Sequence, residues 1–335
     1  MKTTRWNILF LLMCMTLGLY PLDVKAAPTA GGQQQEQYLS VVKQAEKLGL
    51  QVKKSLAGDK LQYRLESKWS TVVLRESTRS CELNGITIHL SRAVIKRHGT
   101  LYISLNDYQK TIEPLLLPQN QRPPPGAKRV VIDPGHGGKD NGAENKSLKI
   151  KEKNLTLSLA LTLKKTLESR GYTVFVTRGN DEFIPLDERP KKAADLKADI
   201  FISLHFNATS TSSVTGAETY ILPPSGQPST SGSSFNGNAT LPGNSFDPWN
   251  MLLGYYVQRE LVNSLGTGDR GVKRARFAVL RTLNCPGILV EGGFVSNNKE
   301  CASIAGAAYR QKMATSIADA VDAYARTVRR VAAGK

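Results

Sequence analysis

From residue 129 to residue 328 the chain alternates short apolar runs with amphipathic helical stretches. That alternation restricts it to an α/β fold in which a sheet is flanked by helices. The expected order is strand 130–132, helix 152–170 stopped by Gly171, strand 173–177, helix 186–196 and strand 200–204. Strands near 217–222, 277–280 and 287–290, a helix over about 248–265 and a final helix over about 307–328 complete the pattern. Residues 129–328 are enough for one domain with a twisted, mostly parallel or mixed sheet.

Two of the four histidines sit at the exits of these strands. Val130-Val131-Ile132 runs into the glycine-rich turn Asp133-Pro134-Gly135-His136-Gly137-Gly138, and Ile200-Phe201-Ile202-Ser203-Leu204 delivers His205-Phe206-Asn207. Strand ends are where catalytic groups collect in such sheets. Two glutamates are candidates to complete the site. Glu152 opens the long helix, and Glu291 closes the apolar run Gly287-Ile288-Leu289-Val290 before Gly292-Gly293. Two His and one Glu with a water in the fourth position form a catalytic zinc set, which leaves one carboxylate free as general base. A Glu in a first helical turn is also favoured by the helix dipole alone, and Glu144 is a competing carboxylate nearby. His89 and His98 read as surface or core histidines.

Four ordered segments, Asp133 to Gly138, Glu152-Lys153-Asn154-Leu155-Thr156-Leu157, Ser203-Leu204-His205-Phe206-Asn207-Ala208 and Val290-Glu291-Gly292-Gly293-Phe294-Val295-Ser296-Asn297, resemble the zinc-dependent N-acetylmuramoyl-L-alanine amidases of the Amidase_3 type. A fifth, Asp269-Arg270-Gly271-Val272-Lys273-Arg274-Ala275 with Phe277 to Arg281, is similar as well. The resemblance implies that His136, Glu152 and His205 hold Zn²⁺ and that Glu291 is the catalytic base. Asp133 and Asn207 read as residues that orient the histidines or their loops, or else only cap a turn, and Arg189, at a position where the family usually has arginine, reads as structural first. The implied reaction is hydrolysis of the amide between N-acetylmuramic acid and L-alanine in bacterial peptidoglycan. A zinc peptidase cutting within the stem peptide and a non-catalytic wall-binding protein are the alternatives.

Lys2 and Arg5, an apolar run from Ile8 to about Leu19, and small residues at Val24-Lys25-Ala26 read as a secretory signal peptide over residues 1–26. The run is shorter than the ~20 residues of a membrane span, and no later segment is expected to cross a bilayer. The expected location is therefore the periplasm or cell envelope. The formal charge is +17, and losing Lys2, Arg5 and Lys25 against Asp23 leaves +15. Such an excess favours polyanions, of which the envelope offers several. Nucleic acid is not expected, because the basic stretches lack interleaved aromatics. Cys14 leaves with the signal. For Cys81, Cys285 and Cys301, a Cys285–Cys301 bridge and buried free thiols stay open as alternatives.

Residues 37–117 read as a small β-rich (α+β) module whose second half resembles the stalk domain called copper amine oxidase N-terminal-like, a name that does not imply copper. Residues 118–128, with Pro123-Pro124-Pro125, read as a stiff linker. Within the catalytic region, 223–248 is a Ser-, Gly-, Asn- and Pro-rich insertion expected to be a flexible lid or substrate-contacting loop. Some relatives block the metal with an insertion here until a partner removes it, so a protein activator is a possible partner besides peptidoglycan.

Overall fold

The computed structural model describes residues 36–231 and 239–334. The signal segment 1–26 lies outside them. Among the described residues no helix is long and apolar enough to cross a membrane.

The amino-terminal region begins with β1 (Tyr38–Ser40) and α1 (Val41–Lys47), then a meander of β2 (Gln51–Ala57), β3 (Lys60–Glu66), β4 (Thr71–Arg75), β5 (Ser80–Leu83) and β6 (Ile86–His89). β7 (Ile95–Arg97) and β8 (Thr100–Ser104) join β1 in a separate small sheet, before α2 (Leu105–Asp107) runs on through a π-turn at Tyr108–Ile112 into α3 (Glu113–Leu116). The second region supplies β9 (Arg129–Pro134), the short pair β10 (Glu144–Asn145) and β11 (Ile150–Lys151), α4 (Glu152–Ser169), β12 (Thr173–Val176), α5 (Glu188–Asp195), β13 (Ile200–Asn207) and β14 (Ala217–Ile221). It ends with α6 (Asp247–Leu265), β15 (Asp269–Arg274), α7 (Ala278–Arg281), β16 (Gly287–Phe294), α8 (Asn298–Ala305) and α9 (Ala307–Ala332).

The α/β expectation holds in a larger sheet than the sequence suggested. Eleven strands run in the order β12-β9-β13-β16-β14-β15-β6-β5-β4-β3-β2, so the meander of the amino-terminal region continues the catalytic sheet. The joint is the parallel pairing of Val272 with Ile88, reinforced by the Thr87 amide, which donates to Asp269 Oδ2 at 2.7 Å. The proline segment 118–128 packs down as well, its Arg122 carbonyl accepting a hydrogen bond from Trp249 Nε1 at 2.7 Å.

β9, β13 and β16 are parallel and central, which explains why each is a nearly continuous apolar run: both faces are covered. α4, α6 and α9 cover one face, with Leu159, Leu163, Val257, Val321 and Tyr324 in its core. α5 and α7 cover part of the other over a smaller cluster that includes Val131, Phe201, Leu280 and Leu289.

One element expected from the sequence is corrected. Residues 277–280 do not form a strand; Ala278–Arg281 is a single helical turn, and the strand lies earlier, at Asp269–Arg274. The apolar run Phe277-Ala278-Val279-Leu280 is buried through Val279 and Leu280 as a plug on the second face, while β15 is polar because its side chains enter ion pairs.

The described parts of the 223–248 insertion, 223–231 and 239–248, follow β14. β14 runs antiparallel to β16, pairing Glu218 with Glu291 and Tyr220 with Leu289, so the chain leaves β14 at the end of the sheet away from Glu291. Three residues of strand carry it ~10 Å from that level. There the described parts of the insertion are pinned, Thr230 exchanging hydrogen bonds with the Arg274 backbone and Gln227 accepting from Arg276. Among the described residues the ring-nitrogen partners of His136 and His205 are Asp140 and Glu152, outside this segment.

Candidate metal centre and active site

The turn after β9 places His136 in the left-handed region, at φ +62°, a conformation that β-strand exits rarely impose on a residue other than glycine. Three buried contacts fix it. Arg189 Nη2 donates to the His136 carbonyl at 2.9 Å, Arg189 Nη1 to the Pro134 carbonyl at 2.9 Å, and Arg178 Nη2 to the Gly135 carbonyl at 2.7 Å. Asp133 anchors the arrangement from below. It is fully buried and accepts from Thr177 Oγ1 (2.6 Å), Ser203 Oγ (2.7 Å) and Arg189 Nη1 (2.9 Å). Asp133 and Arg189 thus act on the turn that carries the ring rather than on the ring itself.

Glu152 is the first residue of α4 and buried. Its Oε1 lies 3.0 Å from His136 Nε2 and 3.0 Å from His205 Nδ1, and also accepts from the Phe206 amide at 3.0 Å. Its Oε2 accepts from the Ala143 amide at 2.8 Å. The two imidazoles meet edge to face at 4.9 Å. One ligand atom from each of His136, Glu152 and His205 lies within 4.8 Å of the others, and among the described residues this is the group that could hold a metal ion. Glu144 is instead exposed and accepts from Asn141 Nδ2 at 2.8 Å.

The donor set fits a tetrahedral zinc: two imidazole nitrogens, one carboxylate and room for one further ligand. His136 Nδ1 is held by Asp140 Oδ2 at 2.8 Å, which leaves Nε2 for the metal and fixes the ring orientation. Tight packing requires two glycines here. A Cβ on Gly135 would meet the His205 ring at 2.2–2.6 Å, and one on Gly142 would meet Glu152 Oε2 and the His136 ring at 2.6 Å. In the metal-free protein burial pushes the Glu152 carboxyl up, but the two histidines outweigh it and hold it well below the usual carboxylate range. Burial likewise lowers the His136 imidazole, and its contacts with Glu152 and Asp140 reverse that and raise it.

Glu291 lies directly across from His205 in the parallel register of β13 and β16, and across from Glu218 in β14. These side chains form one row on one face of the sheet. Part of the Glu291 side chain reaches solvent, but its Oε2 is buried and accepts no hydrogen bond among the described residues. Burial, with the Glu152 and Glu218 carboxylates adding to it and Lys273 opposing, raises its carboxyl well above the usual value. An unpartnered buried carboxylate oxygen beside a metal-binding cluster is poised to hold a proton.

A model of the N-acetylmuramoyl-L-alanine amidase family, Amidase_3, matches residues 130–323. The chain belongs to that family. It is 36% identical over 197 residues to the N-acetylmuramoyl-L-alanine amidase LytC of Bacillus subtilis, covering 59% of this chain and 35% of LytC. It is 31% identical over 265 residues to AmiA of Escherichia coli, covering 70% of this chain and 91% of AmiA. The catalytic domain of the amidase CwlV from Bacillus (Paenibacillus) polymyxa superposes with a TM-score of 0.50 at 31% identity, over 59% of this chain and 97% of that one. The chain therefore spans about a third of LytC, whose remaining length has no counterpart in the match.

Within this amidase fold Asn207 stands apart from the histidines. It donates from Nδ2 to Glu218 Oε1 at 2.7 Å. His89 is half-buried against the Arg270 carbonyl and His98 is exposed, both away from the metal-binding cluster. All three cysteines 81, 285 and 301 are free and buried, so the buried-thiol alternative holds and the Cys285–Cys301 bridge does not form. Sequence reading missed Asp140, Arg178, Lys153 with Asp181, and Glu218. Lys153 Nζ bonds the Gly138 carbonyl and Asp181 Oδ2, both at 2.8 Å, and Asp181 in turn accepts from the Gly138 amide at 2.8 Å.

Proposed function

We propose that this protein is a zinc-dependent N-acetylmuramoyl-L-alanine amidase of the bacterial cell envelope. It would hydrolyse the amide between the lactyl group of N-acetylmuramic acid and L-alanine in peptidoglycan. The observation that carries the reading is the convergence of His136, Glu152 and His205 to within 4.8 Å, with Glu291 in the adjacent register position, in a chain of this family. His136 Nε2, Glu152 and His205 Nδ1 would hold Zn²⁺, which when bound supplies Lewis-acid polarisation of the scissile carbonyl and lowers the pKa of water.

The chain's own residues do the rest. Asp140 keeps the His136 ring turned toward the site, and the Ala143 and Phe206 amides orient Glu152. Glu291 takes a proton from the attacking water at a carboxylate oxygen and passes it to the leaving alanine amine; its buried, unpartnered Oε2 and raised affinity for protons suit both halves of that transfer. Export by the amino-terminal signal and action in the periplasm or cell envelope go with this reading, as does the stalk-like identity of residues 37–117.

The test is mass spectrometry of soluble products from peptidoglycan incubated with the mature protein, with and without zinc, beside Glu291→Gln. Free stem peptides with a new L-alanine amino terminus, formed only with metal and with Glu291, are expected. A terminus inside the stem peptide would establish a peptidase instead, and zinc binding without any product would favour a wall-binding protein.

A further inference from the structure

The row of side chains that starts at His205 and Glu291 does not end at Glu291. On the next strand Glu218 is buried, and its carboxylate gathers four donors: Asn207 Nδ2 at 2.7 Å, Tyr220 OH at 2.9 Å, Arg270 Nε at 3.0 Å and Lys273 Nζ. Two cations on one carboxylate leave this end of the row with a net positive charge. The geometry of Arg270 shows where that charge is directed. Its Nε is tied to Glu218, its guanidinium carbon lies 5.0 Å from the centre of the Phe294 ring, and about a third of its side chain is exposed (35%). Neither Nη atom has a hydrogen bond among the described residues. A planar guanidinium pinned at Nε and backed by an aromatic ring is a preorganised fork for a carboxylate, and its remaining N–H groups are open to take one.

We propose that Arg270, held in place by Glu218 and Phe294, is a substrate-binding residue that takes a free carboxylate of the leaving peptide. The inference rests on the amidase reading above. Strands are ~4.8 Å apart, so a group on β15 that reaches back to Glu218 on β14 lies ~5–10 Å from Glu291 on β16. Extended peptide advances ~3.5 Å per residue. A carboxylate carried by the second residue of the stem, counted from the scissile amide, therefore reaches the fork while that amide faces Glu291. Glu218 is a positioning residue in this arrangement. It is already saturated with donors, and its buried charge keeps the fork from turning away.

The experiment compares two synthetic N-acetylmuramoyl peptides that differ in one group on the second residue, a free α-carboxylate or its primary amide. kcat and KM are measured with the zinc-loaded full chain, with Arg270→Ala and with Arg270→Lys. The expected result is that Arg270→Ala raises KM for the carboxylate substrate roughly ten- to hundredfold, the range of a charge-assisted hydrogen-bond pair. The same change leaves KM for the amidated substrate within about twofold, and Arg270→Lys falls between. An equal loss on both substrates would show that Arg270 only supports Glu218 and would overturn the proposal. So would a wild type that binds the two equally. Cleavage of neither substrate by the wild type, with peptidoglycan also uncut, would instead refute the amidase reading; with peptidoglycan cut, it would refute recognition within the first two residues.

Discussion

Arg189→Met is the substitution whose consequences the structure sets most tightly. Arg189 and Asp133 form an ion pair at 2.9 Å with 2% and 0% side-chain exposure. Methionine keeps most of the volume and removes the charge. Asp133 then keeps only the two hydroxyl donors, Thr177 and Ser203, around a buried negative charge. The Ile184 and His136 carbonyls lose the Arg189 donor, whereas the Pro134 carbonyl still receives Arg178 Nε at 3.0 Å. Removing one partner of a buried pair destabilises by about 3–5 kcal/mol. With a urea m-value of about 3 kcal/mol/M for a chain of this size, the unfolding midpoint should fall by about 1–1.7 M. Adding Asp133→Asn should recover at least about 1 kcal/mol, because the stranded charge is what dominates the loss. Zinc affinity should fall about ten- to hundredfold in the single variant, since the His136 carbonyl is the contact that holds φ at +62°. Urea melts followed by circular dichroism, with and without zinc, measure the first two, and chelator competition measures the third. A midpoint unchanged to within about 0.3 M would refute the claim that this pair anchors the turn.

Gly135→Ala should yield a folded protein that no longer binds zinc at stoichiometry, because its methyl would displace the His205 ring 2.2–2.6 Å away; metal analysis after dialysis checks this. In the metal-free protein the raised His136 pKa means a proton held to higher pH than the usual 6.5, so its contribution to stability is present below 6.5 and is lost as pH rises through the raised value. Zinc must displace that proton, and its affinity should weaken as pH falls through the same window, as competition titrations at several pH values would reveal. Buried Asp247 is pushed from 3.8 up to about 6 by burial, so the fold binds more protons than the unfolded chain over that window and loses stability as pH rises through it. Asp247→Asn should therefore stabilise by up to about 3 kcal/mol at pH 7 and not at pH 3.5; equal effects at both would contradict it. In protein lacking residues 1–26 no thiol should react with a water-soluble disulfide reagent in the native state, since Cys81 and Cys285 are buried and pushed up to about 12 and Cys301 is buried.

The parts of the fold that were legible in the sequence are those in which a single segment carries its own signal. β9, β13 and β16 are covered on both faces, so they are apolar throughout, and α4 announces itself by its Leu spacing and its stop at Gly171, where φ is +82°. β15 escaped because Arg270, Lys273 and Arg274 point to partners far away in sequence, and polarity masks a strand whose charges are neutralised in three dimensions. The same reasoning explains why the joint between β6 and β15 was invisible: one residue pair 184 positions apart closes it, and no local periodicity encodes that. The three residues that could hold a metal were legible because each stands at or just beyond an end of its own element. Asp140 was within reach, four residues after His136 in a glycine-rich turn. Arg178 and Asp181 follow a strand end without any pattern that separates them from ordinary solvated charges.

The distribution of buried charge around the site follows from what the turn must do. A strand exit that holds a histidine at positive φ leaves three carbonyls, those of Pro134, Gly135 and His136, to be met by neighbouring side chains. Neutral donors would leave that layer polar but loosely held. Arg178 and Arg189 meet all three carbonyls with rigid guanidinium forks, and Asp133 balances one of the two charges. Among the described residues Arg178 has no carboxylate at ion-pair distance, and Asp181 is taken by Lys153. Burial, with the neighbouring Arg189 guanidinium adding to it, lowers Arg178's hold on its proton. Arg189 therefore ties the buried Asp133 charge to the turn that carries His136, which is why a change there should alter stability and zinc affinity together rather than one alone.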